Sequence, residues 1–162
     1  MPVLCKLHTL EEAVAAVAQM REDQRRVVMT NGCFDLLHPG HIVHLQQARD
    51  LGDALIVAIN SDRSVRKLKG PGRPVYEEMQ RALALSALEC VDVVTVFDEV
   101  SPLEIMQLLA PDVYVKGGDY TLETLNQEER HVLESAGCEI HILPQVENFS
   151  TTNLIRRVQF RE

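Results

Sequence analysis

The sequence predicts an α/β fold: a single Rossmann-like domain over residues 1–162, with a five-stranded, mostly parallel sheet and helices on both faces. Residues 1–24 are expected to form an N-terminal helix packed on it. Three observations carry this. Short apolar runs alternate with capped, helix-length stretches along the chain, the pattern of right-handed βαβ units. The run ALIVAIN at 54–60 is apolar almost throughout, as a strand covered on both faces must be. The 162 residues suit one core of common size, and no repeat, linker or low-complexity segment interrupts them.

The elements follow in order. Thr9-Leu10-Glu11-Glu12 fits a capping box, and AVAAVAQM continues that helix to about Arg21. Arg26 to Thr30 is a β-branched apolar strand bounded by Asn31-Gly32. Pro39 and Gly40 mark the start of a helix with Ile42, Leu45 and Ala48 as its apolar stripe and Gly52 as its stop. After the 54–60 strand, Ser61 to Pro74 reads as a basic loop with a short helical turn near Val65. Glu77 to Leu88 reads as a helix with Met79, Leu83 and Leu85 inward. Asp92 to Phe97 is the third strand. Ser101 is placed as the N-cap of a helix with Pro102 at its first position and Glu104 as capping glutamate, ending near Leu109. Val113 to Lys116 is the fourth strand, followed by the turn Gly117-Gly118-Asp119-Tyr120. A helix starts near Asn126 and ends before Gly137, Glu139 to Leu143 is the fifth strand, and Ser150-Thr151-Thr152 caps a last helix, Asn153 to Gln159.

Composition narrows the function. Apolar residues make up 46% and charged residues 25%, as in ordinary water-soluble domains. No apolar run is long enough to span a bilayer, and the N-terminus lacks a signal-peptide pattern, so a cytoplasmic location and no membrane partner are expected. The four cysteines, Cys5, Cys33, Cys90 and Cys138, are widely spaced without C-x-x-C and read as reduced, mostly buried thiols. The net charge of −8 argues against nonspecific nucleic-acid binding. Yet Arg63, Arg66, Lys67, Lys69 and Arg73 fall close together, which suggests a site for a small, highly charged anion.

The best clue lies between Arg26 and Leu51. A glycine-bearing loop feeding a helix N-terminus gathers backbone N–H groups and the helix dipole at one spot. His38 and His41 flank that spot in a His-x-Gly-His pattern, where imidazoles can donate to phosphate oxygens. Read alone, these histidines serve equally well as capping or core side chains; for the basic stretch a solvated surface is the lesser alternative to an anion site. Cys33, His38, His41 and His44 do not have the spacing of a structural zinc site, and no resident metal ligands are expected.

Several stretches together carry a resemblance: GCFDLLHPGH, RKLKG, RPV at 73–75 with Arg81, KGGDY, and STTNLI, in register from about Val27 to Val158. The chain resembles the nucleotidylyltransferase superfamily, and within it the adenylyltransferase (ADP-heptose synthase) domain acting on D-glycero-D-manno-heptose 1-phosphate. The resemblance implies ATP as donor, Mg²⁺ accompanying it, a sugar 1-phosphate as acceptor, pyrophosphate as product, and a homodimer, for which Val3-Leu4 and the first helix offer apolar surface. It implies catalytic roles for His38, His41 and Lys69. Asn31, Gly32, Cys33 and Phe34 would lie under the nucleotide. Gly40 would let the triphosphate approach, Lys67 or Lys69 would reach it, and Ser150, Thr151 and Thr152 would cap the last helix against it. Asp35, Arg73, Lys116, Gly117 and Asp119 would face the acceptor. Related glycerol-phosphate cytidylyltransferases carry an arginine shortly before STT. Here 144–149 contains none, which leans away from CTP. Cytidylyl transfer to a polyol phosphate, and a nucleotide-binding module without turnover, remain the alternatives.

Overall fold

In the computed structural model the described residues are 3–118, 120–144, 149 and 151–159. Thr9 and Glu12 close the predicted capping box, each side chain accepting the other's backbone N–H, and helix α1 (Leu10–Glu22) follows. Strand β1 (Val27–Gly32) continues two residues past the predicted end, so Asn31 and Gly32 belong to the strand. Then come α2 (Pro39–Arg49), β2 (Ala54–Asn60), α3 (Asp62–Lys69), α4 (Glu78–Ser86), β3 (Val93–Phe97), α5 (Leu103–Leu109), β4 (Val113–Gly117), α6 (Gln127–Ser135), β5 (Glu139–Leu143) and α7 (Thr151–Gln159).

The five strands lie in the order β3-β2-β1-β4-β5, and every pair is parallel. Alternate residues of each strand serve opposite layers. Val27 and Met29 pack with Ala13, Val17, Ile105, Leu109 and Leu133 from α1, α5 and α6. Val28, with Val57 and Ile59, packs with Leu45, Ala48, Ala82 and Leu85 from α2 and α4. Most of these side chains are fully buried, each contributing about 1.5–3 kcal/mol by leaving water. Register is pinned at the amino edge of the sheet by aspartates. Asp53 accepts from Arg26 N–H, Asp112 from Val27 N–H and Asp92 from Leu55 N–H, at 2.7–2.8 Å. Gly52 is obligatory there, because a Cβ would meet Arg26 O at 2.7 Å.

Five expectations need correction. The basic stretch is not a loop with one turn but the helix α3, because Ser61 caps it by accepting Ser64 N–H and Asp62 sits in its first turn. Helix α4 faces inward through Arg81, Ala82 and Leu85, while Met79 and Leu83 are about half exposed. The buried Arg81 guanidinium, described below, sets that rotation. Ser101 does not cap α5; its hydroxyl donates to Glu129 at 3.0 Å and Pro102 occupies the cap position. Cys5 is exposed and Cys33 and Cys90 are only partly buried, so of the four thiols only Cys138 is in the core. The apolar face of α1 is spent on the chain's own sheet, and the exposed apolar stripe lies instead on Tyr76, Met79 and Leu83.

Candidate active site

Strand order reverses at β1, between β2 and β4, and a crevice opens there beyond the carboxyl ends of the strands. It is a cleft of about 580 Å³. Its floor is the β1–α2 connection. Phe34 takes a positive φ of 44°, and its ring folds back beneath Gly32, where an added Cβ would lie 3.1 Å from Phe34 Cε2. A non-glycine residue in that region is strained, and such strain clusters at functional turns.

His38 is the N-cap of α2 and makes no side-chain cap. Its ring stacks on His41 with centroids 3.8 Å apart and planes 18° apart; Phe34 tilts against His41 at 5.2 Å, and Phe149 lies parallel to His38 at 6.4 Å. Both Nδ1 atoms are buried and, among the described residues, neither makes a hydrogen bond. A buried polar atom without a partner costs free energy, and here both atoms belong to rings that line the cleft. Burial lowers the pKa of both rings. For His41 burial acts first, the neighbouring His38 and His44 add to it, and the main chain at Leu36 opposes it; the result is about 4. The pair is therefore neutral at pH 7 until an anion arrives to favour the charged form.

A second buried polar cluster supports this floor and is fully engaged. The Asp35 carboxylate, with its side chain wholly buried, accepts from Val75 N–H at 2.7 Å, Tyr76 N–H at 3.0 Å and Arg73 Nε. The wholly buried Arg81 donates to Cys33 O at 2.7 Å, Asp62 at 2.8 Å and Tyr76 O at 3.0 Å. One guanidinium thus ties the phosphate-type loop to α3 and to the segment before α4. Asp35, expected at the acceptor, lines the cleft with its carboxylate engaged in this latch; Arg73 lines the cleft too and is only 17% exposed.

The basic helix divides. Lys69 lines the cleft, whereas Lys67 does not. The charge of Lys67 acts on Asp98, whose carboxyl is held below its usual range mainly by hydrogen bonds from Ser61 and Arg63. Across the cleft, Lys116 Nζ lies 3.8 Å from Glu129 Oε2, 3.4 Å from Tyr114 Oη and 5.4 Å from the centre of the Tyr120 ring. Burial pulls the Lys116 pKa down, and Glu129 pulls it back up. Tyr114 in turn donates to Asn31 at 2.5 Å. Asn31, Gly32, Cys33, Phe34, Gly40, Gly117, Thr151 and Thr152 all line the cleft. Asp119 and Ser150 lie outside the described residues.

The cleft also gathers residues that the sequence did not single out as a site: Asn60, Tyr120, Glu129 and, in a role other than zinc, His44. Asn60 had a signal, since it is the one polar residue ending an apolar strand at the carboxyl edge. Glu129 had none, sitting among other acids on α6. Among the described residues no group of three or more His, Cys, Asp or Glu side chains converges on a metal-ion position. Asp35 is committed to its latch, and Glu129 is held by Ser101 and Lys116. Among the described residues the donor set therefore assembles no site for a resident Mg²⁺.

Comparison with known proteins agrees with this geometry. The family model described as cytidylyltransferase-like matches residues 29–157. A protein named "Bifunctional protein HldE" from Koribacter versatilis is 51% identical over 94% of this chain and 31% of its own length. One of the same name from Syntrophotalea carbinolica is 49% identical over 92% of this chain and 30% of its own. The chain spans about a third of the length of the curated relatives it matches. Among solved structures, a lipopolysaccharide core biosynthesis protein from Thermoplasma volcanium is 27% identical, with a TM-score of 0.62 over 77% of this chain and 99% of that one. A pantoate-β-alanine ligase from Francisella tularensis, 13% identical with a TM-score of 0.65 over 92% of this chain and 72% of that one, shares the fold. With four-fifths of its length covered by the family model, a parallel sheet of this order and paired histidines at the α2 N-terminus, the chain belongs to the cytidylyltransferase-like family of nucleotidyltransferases.

Proposed function

We propose that this domain transfers AMP from ATP to a heptose 1-phosphate, releasing pyrophosphate and forming ADP-heptose. The observation that carries the phosphate half of this reading is the pair of buried, unpartnered Nδ1 atoms at a helix N-terminus. The sugar half rests on the resemblance of GCFDLLHPGH, KGGDY and STTNLI to heptose adenylyltransferases, and on the shared likeness to the HldE proteins. Mg²⁺ belongs to the donor as its ATP complex.

The chemistry asks little covalent work of the protein. A phosphate oxygen of the acceptor, already anionic, attacks the α-phosphorus, and the bond to the leaving pyrophosphate breaks. No deprotonating base is needed, so catalysis is alignment and charge stabilisation. His38 and His41 become donors as the triphosphate settles on α2, and Lys69 adds charge from the end of α3. Thr151 and Thr152 approach from the first turn of α7, whose dipole favours the same anion. Arg73, held through Nε by Asp35, adds its charge at the cleft wall.

Cytidylyl transfer to a polyol phosphate is the competing reading, and the name of the matched family favours it. The absence of arginine in 144–149 favours ATP, since cytosine's O2 and N3 acceptors suit an arginine fork and adenine's amino group suits an acceptor. A matrix of nucleotides against sugar and polyol phosphates, followed by pyrophosphate release, decides. ATP is expected to exceed CTP by at least ~10-fold in catalytic efficiency, the value of one mismatched hydrogen bond. Equal or faster use of CTP overturns the adenylyl assignment.

A further inference from the structure

One end of the cleft has a chemistry that the phosphate chemistry above does not use. His44 follows His41 by nearly one turn of α2 and also lines the cleft. Its Nε2 lies 3.2 Å from Thr30 Oγ1, and that hydroxyl spends its only proton on Val115 O at 2.9 Å. Thr30 can then only accept, so His44 Nε2 must carry a proton. Burial lowers the His44 pKa, so the ring is neutral, and its Nδ1 is a bare acceptor. That edge faces Gly117: a Cβ built there would stand 2.8 Å from His44 Nδ1 and Cε1, so only glycine leaves it accessible. The sheet thus imposes one tautomer on a cleft histidine through a relay across β1 and β4.

Glu129 lines the cleft from α6, on the opposite layer of the sheet, beside Lys116. Its Oε1 accepts from Ser101, and its Oε2 stands 3.8 Å from Lys116 Nζ, beyond hydrogen-bond reach. A hydroxyl oxygen about 2.8 Å from each would close that gap, donating to the carboxylate and accepting from the ammonium. Tyr120, 45% exposed, adds a flat apolar face. Two acceptors, one donor and a ring make a surface for hydroxyls. It is a poor surface for phosphate, which would meet a carboxylate and an unprotonated nitrogen. The cleft thus carries donors at His38, His41, Lys69, Arg73 and Lys116 and acceptors at His44 and Glu129.

We propose that His44 and Glu129 read hydroxyl groups of the acceptor substrate: His44 Nδ1 accepts from one, and Glu129 with Lys116 brackets another. This rests on the reading above that the acceptor is a polyhydroxylated phosphate, and it assigns to that reading two residues that discriminate hydroxylated acceptors from bare ones. The experiment pairs enzyme variants with acceptors. His44→Leu removes the acceptor nitrogen; His44→Gln keeps a donor toward Thr30 and an acceptor oxygen. Glu129→Gln keeps the shape. Each is assayed with a sugar 1-phosphate and with a simple alkyl phosphate, alongside ATP kinetics and thermal denaturation.

His44→Leu and Glu129→Gln are expected to raise the sugar-phosphate KM by ~10-fold or more, to leave the ATP KM within about twofold, and to leave alkyl-phosphate turnover unchanged. His44→Gln should recover most of the loss. Equal losses with both acceptors, or no loss with either, overturn the proposal. Binding of the sugar phosphate, measured by calorimetry without turnover, separates the two levels. A wild-type protein that binds it, with binding weakened ~10-fold by His44→Leu, upholds the subsite even if no pyrophosphate is released and the adenylyl reading fails. Undiminished binding to His44→Leu, or none to wild type, rejects it.

Discussion

Two buried polar clusters sit side by side beneath the cleft, and they differ in one respect. Around Arg81 and Asp35, three guanidinium donors and both carboxylate oxygens find partners within the chain. In the His38–His41 stack, both Nδ1 atoms find none among the described residues. The first arrangement is complete without a ligand and holds three segments together. The second leaves two ring nitrogens without a partner among the described residues. Satisfaction of buried polar atoms thus separates scaffold from chemistry here better than residue type or proximity does.

The contrast is sharpest in stability. Arg81→Leu leaves Asp62 and two carbonyl oxygens unpaired, and is expected to cost about 3 kcal/mol in urea-induced unfolding, the lower part of the range for breaking a buried ion pair. An unchanged midpoint would remove the latch from the scaffold. His41→Ala should do the opposite, lowering turnover by ~10²–10³ as loss of a preorganised donor does while leaving the unfolding midpoint nearly in place. Turnover within threefold of wild type would sink the histidine assignment.

The lysines of α3 extend the comparison along one helix. Lys69→Ala should raise the ATP KM by ~10-fold, the worth of a charge-assisted hydrogen bond. Lys67→Ala should change it by less than about twofold, because Lys67 does not line the cleft. Equal effects would show that the helix acts only through its net charge.

The smallest signal is protonic. His41 is held near pKa 4 in the fold, against 6.5 unfolded. Between those values the unfolded chain binds more protons, so this ring's contribution to stability falls as pH drops from about 6.5 to 4. His38 and His44 shift in the same direction. A bound triphosphate reverses the preference. ATP binding at pH 6.5 should therefore take up a fraction of a proton or more, read by calorimetry in buffers of different ionisation heat, and His41→Ala should reduce it. Binding heats independent of buffer would show that the rings stay neutral.

The fold was legible because apolar runs and caps state it locally: ALIVAIN is a strand in any context covered on both faces, and Thr9 with Glu12 starts a helix by itself. The histidine pair was legible because it sits at a marked helix start. The rotation of α4 was not, since the pattern of Met79, Leu83 and Leu85 gives no hint that an arginine takes the buried side. That choice is made by Cys33 O, Tyr76 O and Asp62, which the sequence does not show to be neighbours. His44 and Glu129 were missed for the same reason. Their meaning lies in Thr30, Val115 and Lys116, partners brought close only by the pairing of β1 with β4.

That pairing also has a consequence for how the chain is made. Val28 sits between Leu55 on one side and Val113 on the other. The first neighbour emerges soon after it during synthesis, but the second follows far later, after α3, α4, β3 and α5. Until then one edge of an apolar central strand carries open N–H and C=O groups, which is the surface most prone to pairing with another chain. Long-range parallel pairing is also slow to form. Nascent chains halted before Val113 should therefore be the species most dependent on a chaperone, and synthesis that pauses between β3 and β4 should lower the yield of folded protein more than a pause of equal length after β5.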